Sequence, residues 1–102
     1  ITDDREFAYQ FKGFLKIPVT GVYTFYLKSN DGSNVYLDGK LLLDFDVDRG
    51  SAEKSATRML EKGFHPIDLN YYQMGGKKSL NIGWKQPGKS KKEDIPESVL
   101  WH

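Results

Sequence analysis

Between Ser29 and Asn34 the chain sets Ser, Asn, Asp, Gly, Ser and Asn in unbroken succession. Side-chain and backbone oxygens at that density, on a turn between two strands, suit sugar hydroxyls or a hard cation, both of which need oxygens on a stiff frame. Asn30 and Asp31 are the leading oxygen ligands, for a sugar or for a metal, with Asn34 beside them. The same residue types are also what turns are made of. Local chemistry by itself favours the plain turn.

Other clusters carry less. In DFDVDRG the residues Asp44, Asp46 and Asp48 match the first three ligand positions of an EF-hand loop, but Arg49 stands where its glycine belongs and Ser55 where its glutamate belongs. A solvated loop is the better reading. His65 adjoins Pro66, His102 is terminal, and without cysteine there is no zinc set. No Gly-x-Ser-x-Gly occurs, and no acid pair stands out for glycoside hydrolysis, so the chain reads as not an enzyme. Lys77, Lys78, Lys85, Lys89, Lys91 and Lys92 gather late in the chain, with Glu93 and Asp94 among them. They read as a solubilising surface and not as a nucleic-acid site.

Aromatic rings are the second route to sugar binding, because a ring face stacks on the apolar face of a pyranose. Trp84, Tyr72, Tyr36 and Trp101 are the candidates. Alternation puts Trp84 with Leu80 and Ile82, which favours the core, whereas Tyr36 and Tyr72 fall opposite the aliphatic residues of their strands. Trp84 and Gln86, with the loop running to Lys92, form a second candidate wall for a sugar.

What must position these groups is a set of strands. Residues 7–17 alternate, with Phe7, Tyr9, Phe11, Leu15 and Ile17 against Gln10, Lys12 and Lys16, and Gly13 predicts a bend or bulge. Pro18 and Gly21 turn the chain into a strand over 22–29, pairing the two as a first hairpin. Tyr23, Phe25 and Leu27 share one face of that strand. Strands over 34–37 and 40–44 follow, joined at Asp38-Gly39. Residues 44–56 lack periodicity and read as a surface loop, followed by a short strand over 57–60. His65, Ile67, Leu69 and Tyr71 alternate in a further strand, and Gly75-Gly76 signals a hairpin into Leu80, Ile82 and Trp84. Ile95, Val99, Leu100 and Trp101 are too apolar to hang free and are expected to pack back on the sheet. No helical periodicity appears, so the predicted fold is an all-β antiparallel sandwich or barrel.

The whole has 102 residues, 38% apolar and 14% aromatic, enough for one domain over 1–102 with its own core. Formal net charge is +1, from 15 basic and 14 acidic residues, which gives no overall pull toward nucleic acid or anionic membrane. No apolar run approaches the roughly 20 residues that span a bilayer. The chain opens almost directly into a strand and reads as an excerpt of a longer multidomain protein.

Taken together, FKGFLKIPVTGVYTFYLKSNDGSNVYLDGKLLLD resembles the core signature of the protective-antigen-type (PA-fourteen) domain. The matching elements are an aromatic strand with Gly13, the turn from Pro18 to Gly21, Tyr23 and Phe25, the turn from Ser29 to Gly32, and Tyr36 to Gly39. The likeness continues through LEKGFHPI, LNYYQ and LNIGW to Ile95-Pro96. The resemblance implies a β module of secreted glycosidases, toxins and adhesins that often binds carbohydrate and is not itself catalytic. It further implies an extracytoplasmic setting, a carbohydrate partner and a neighbouring catalytic domain, such as a β-hexosaminidase, in the same chain. A structural spacer that packs on that domain without a ligand is the alternative. Sugar-binding adhesins of the family hold calcium with two successive aspartates joined by a cis peptide. Here the pair is Asn30-Asp31, so calcium (Ca2+) is allowed and not required.

Overall fold

The computed structural model describes residues 6–29, 33–45, 52–73 and 80–102. They form β1 (Glu6–Ile17), β2 (Gly21–Ser29), β3 (Ser33–Leu37), β4 (Lys40–Phe45), β5 (Ala52–Leu60), β6 (Gly63–Gln73), β7 (Leu80–Lys85), β8 (Glu93–Asp94) and β9 (Leu100–Trp101). One 3-10 turn, Glu97–Val99, is the only helical element among the described residues. The strands make two antiparallel sheets, one ordered β4-β3-β6-β1-β9 and the other β5-β2-β7-β8. The all-β sandwich predicted from the sequence is the fold.

The core lies between the sheets, where each strand's alternation aims it. Phe11, Leu15 and Ile17 of β1 meet Tyr23, Phe25 and Leu27 of β2 and Trp84 of β7 across the interior. Leu42 and Leu43 are both buried although adjacent in sequence. The pairing of β3 with β4 explains this: its register slips between Val35 and Tyr36, and such a bulge breaks strict alternation.

Strand partnership differs from the expected hairpins in two places. β1 and β2 do not form a hairpin; they lie in different sheets, and the corner at residues 18–20 carries the chain across. Tyr23 clasps that corner, its phenol donating to the Val19 carbonyl at 2.6 Å and accepting from the Val19 amide at 3.2 Å. β6 and β7 likewise belong to different sheets, so the segment containing Gly75 and Gly76, which lies outside the described residues, joins no paired strands. Asp38-Gly39 does close a hairpin. Both have positive φ, 56° and 77°, as a tight two-residue turn of that hand requires.

Three further expectations need correction. The loop over 44–56 ends early, because β5 begins at Ala52 and pairs along the length of β2 from Ser29↔Ala52 to Gly21↔Leu60. β5 is an edge strand with mostly exposed side chains, so its backbone pairing leaves no hydrophobic pattern to read. The irregularity in β1 falls between Phe7 and Tyr9, while Gly13 pairs in register with Ile67. Glycine is needed at position 13 for a different reason: a Cβ there would run into the Trp101 carbonyl oxygen of β9. In the tail, Ile95 is buried and Val99 and Leu100 pack against the core. Trp101 instead stays 48% exposed on the outer face, edge-on to Phe64 with ring centroids 5.6 Å apart.

His65 staples two turns. Its Nδ1 lies 3.0 Å from the Asp38 carboxylate and its Nε2 lies 2.7 Å from the Glu61 carbonyl oxygen. Two acceptors facing both ring nitrogens favour the doubly protonated ring. Burial pulls its pKa down, but the Glu61 carbonyl and the Asp38 carboxylate outweigh that and raise it above the ordinary 6.5.

Two tests follow from this geometry. Gly13→Ala forces β9 off β1 and lowers stability by about 1–3 kcal/mol in urea unfolding, the usual range for overpacking. Because folding raises the His65 pKa, its stabilisation is complete below pH 6.5 and is lost as pH climbs through the raised value. The stability difference between wild type and His65→Asn, measured across that range, therefore shrinks toward alkaline pH, and Asp38→Asn flattens the dependence.

Candidate functional site

β2 ends at Ser29 in one sheet and β3 begins at Ser33 in the other, on either side of the oxygen-rich stretch. Asn30 and Asp31 lie outside the described residues. Asn34 is half-buried, paired in register with Asn70 of β6, and its Oδ1 accepts from the Asn70 Nδ2 at 2.9 Å. Asn70 is only 7% exposed and Ser33 only 1%.

The Asn70 Oδ1 and the Ser33 Oγ are out of contact with solvent and, among the described residues, lack a hydrogen-bond partner. Leaving such groups unpaired costs roughly 1–3 kcal/mol each, so polar atoms are stored at the base of the turn against the usual preference. Sequence reasoning counted Ser33 among the oxygens of the turn but missed Asn70. Asn70 read as the polar half of an alternating strand, and Ser33 as a turn former. What brings Asn70 to the turn is its register partner Asn34, which no local spacing in the sequence encodes.

The second wall does not join this group as a stacking surface. Trp84 is 1% exposed, packed against Tyr23 and Phe25 at ring-centroid distances of 5.4 and 6.3 Å, and so offers no free face to a pyranose. Its Nε1 donates to Glu93 Oε2 at 3.2 Å, and Gln86 Nε2 donates to the same oxygen at 2.7 Å. Trp84, Gln86 and Glu93 are thus one bonded unit that secures β8 and the loop before it. Tyr36, by contrast, is 37% exposed, as alternation predicts, while the side chain of Tyr72 falls outside the described residues.

Two of the surface lysines have defined partners. Lys92 pairs with Glu53 at 2.8 Å and lies 4.7 Å above the Tyr26 ring, and Lys54 donates to the Asp44 carbonyl at 2.7 Å. Asp46 and Asp48 lie outside the described residues, and among the described ones no cluster of three His, Asp or Glu side chains could hold a metal. His65 serves its two turns, and His102 rests on Phe11, 4.8 Å between ring centroids.

With the fold in place, comparison with known proteins is informative. The family model of the PA14 domain matches residues 2–98. This chain belongs to the PA14 family. The anti-sigma-I factor RsgI3 of Acetivibrio thermocellus is 35% identical to it over 80 residues, covering 78% of this chain and 12% of the relative. This PA14 domain therefore spans a small part of that curated relative's length. A solved anti-sigma factor domain-containing protein superposes with a TM-score of 0.81 at 26% identity, covering 90% of this chain and 32% of the other. The PA14 sugar-binding domain from an RTX adhesin superposes at 0.77 with 21% identity, covering 91% and 52%, which speaks to fold. No helix among the described residues is long and apolar enough to cross a membrane.

The Trp84 unit makes a direct prediction. Glu93→Ala strands a buried indole N–H and destabilises the domain by about 1–3 kcal/mol, whereas Glu93→Gln, which keeps an acceptor, loses less. Tryptophan-monitored urea unfolding distinguishes the two.

Proposed function

We propose that this PA14 domain is a non-catalytic carbohydrate-binding module of an extracytoplasmic, glycan-active protein, and that Asn30 and Asp31 contact the sugar with Asn34 behind them. The observation carrying this reading is the polar base of the turn: the Asn34–Asn70 pair, the unpartnered Asn70 Oδ1 and the buried Ser33. They give the turn a rigid, hydrogen-bonding footing on β3 and β6, and sites on such footings hold ligands with less ordering loss than sites on free loops. The adhesin domain of the same fold, whose name states sugar binding, supports the ligand class.

The host polypeptide is read from two sources. Resemblance to copies appended to glycosidases such as β-hexosaminidases supports a neighbouring catalytic domain, and the anti-sigma-I relative supports a regulatory host. Calcium is an accessory in this reading, since Asn30 leaves a single carboxylate in the pair. A spacer without ligand is the second reading. It is favoured by Phe14, Phe64 and Trp101, which stand 43–55% exposed on the outer face of one sheet.

Titration of immobilised glycans with wild type and Asp31→Ala tests the site, with affinity expected to fall at least about tenfold, the equivalent of about 1.4 kcal/mol. Equal binding by both proteins removes the turn from consideration. Addition of a chelator is expected to leave wild-type binding in place.

A further inference from the structure

A second cleft lies away from the turn, on the outer face of the sheet ordered β4-β3-β6-β1-β9. It has a volume of about 350 Å³, and its lining includes Lys12, Gly13, Tyr36, Pro66 and Asp68. Register explains how they meet: Tyr36 of β3 pairs with Asp68 of β6, and Asp68 pairs with Lys12 of β1. Directly opposed residues of antiparallel strands point to the same side, so these three form one cross-strand row. Gly13 borders the cleft beside that row.

The row contains an anomaly. One carboxylate oxygen of Asp68 is shut off from solvent and, among the described residues, has no hydrogen-bond partner. Among the described residues no ion pair joins Asp68 to Lys12. A desolvated carboxylate oxygen lacking a donor is unfavourable by itself, so the Asp68 carboxylate gains from a donor that a ligand brings to the cleft it lines. Beside it the half-exposed Tyr36 presents an aromatic ring, and Lys12 presents donors.

We propose that this cleft is a saccharide subsite separate from the turn, in which Tyr36 stacks on the sugar ring, Asp68 accepts from a hydroxyl and Lys12 donates to another. The inference shares its ligand class with the carbohydrate reading of the turn but rests on different residues. Three observations select a saccharide. β3 and β6, which carry Tyr36 and Asp68, are interior strands of their sheet, so neither offers an unpaired backbone edge at the cleft to a peptide strand. One ammonium beside one carboxylate gives no field to hold a phosphate backbone. An aromatic face next to an unsatisfied acceptor and a donor matches the alternation of apolar C–H faces and hydroxyls on a pyranose.

The cleft is also preorganised. The Asp38 amide donates to the Pro66 carbonyl at 2.9 Å, and the His65 contact to Asp38 fixes the β3–β4 turn next to Tyr36. Little of the frame around the ring is left to order when a sugar arrives.

The experiment is an amide-resolved NMR titration of the whole chain with a panel of soluble oligosaccharides of two to six rings. It is repeated on Tyr36→Ala, Tyr36→Phe, Asp68→Ala and Asp31→Ala. The subsite is supported if amides of Lys12, Tyr36 and Asp68 shift, Tyr36→Ala and Asp68→Ala weaken binding about tenfold, and Tyr36→Phe retains it. Tyr36 is half-exposed, so its replacement leaves the fold intact, which the same spectra report. Sugar binding that spares these amides and is unaltered in Tyr36→Ala overturns the subsite and leaves the turn standing. Binding that is lost in Tyr36→Ala but unchanged in Asp31→Ala overturns the turn and leaves the subsite. Silence from every oligosaccharide overturns both.

Discussion

The structure depends on what Trp84 touches. Its ring packs with Tyr23 and Phe25 in the middle of the sandwich, while its one polar atom reaches Glu93 at the sheet's far edge. An indole buried this deeply is favourable only if its N–H is satisfied, so the core and the β8 edge stand or fall together. Gly83 lets β8 come close, since a Cβ there would sit 2.8 Å from the Glu93 carbonyl oxygen. Tyr23 extends the same logic to the opposite side: buried completely, it spends its hydroxyl on the corner between β1 and β2. The aromatic cluster therefore ties the middle of the sandwich to the β8 edge and to the corner where the chain passes from β1 to β2.

How much of this was legible depends on what kind of information each feature needs. Burial was readable where residues alternate, and Phe11, Leu15, Ile17, Tyr23, Phe25, Leu27 and Trp84 lie in the core as period two demands. Partnership was not, because alternation states which side of a strand is wet and says nothing of which strand lies next to it. That is why β1 and β2 looked like a hairpin and are in different sheets. β5 was half-hidden for a related reason: at a solvent-facing edge its hydrogen bonds to β2 hold it, and hydrogen bonds leave no trace in composition. At the site, Asn34 was legible from the turn chemistry, while Asn70 and Asp68 needed the register of β6 against β3, which no local spacing encodes.

The two polar regions of this domain share one support. Asn34 and Tyr36 are two residues apart on β3, and Asn70 and Asp68 stand opposite them on β6. At the rise of an extended strand the two rows are about 7 Å apart. Both strands are paired on each side, so the rows are held by the most enclosed part of the sheet and move together. From the Asn34 row the same face passes through Tyr36 and Asp68 to Pro66 and Phe14, a grade from amide to carboxylate to apolar ring.

Asp38 shows how tightly a surface position can be restricted. With φ at 56° it occupies a conformation open to few side chains besides glycine, asparagine and aspartate. As the acid facing His65 it must also bear a negative charge. Asparagine meets the first demand and fails the second; glutamate does the reverse; glycine has nothing to offer the imidazole. Aspartate is thus the residue that meets both demands at a solvent-facing bend with no part in the hydrophobic interior.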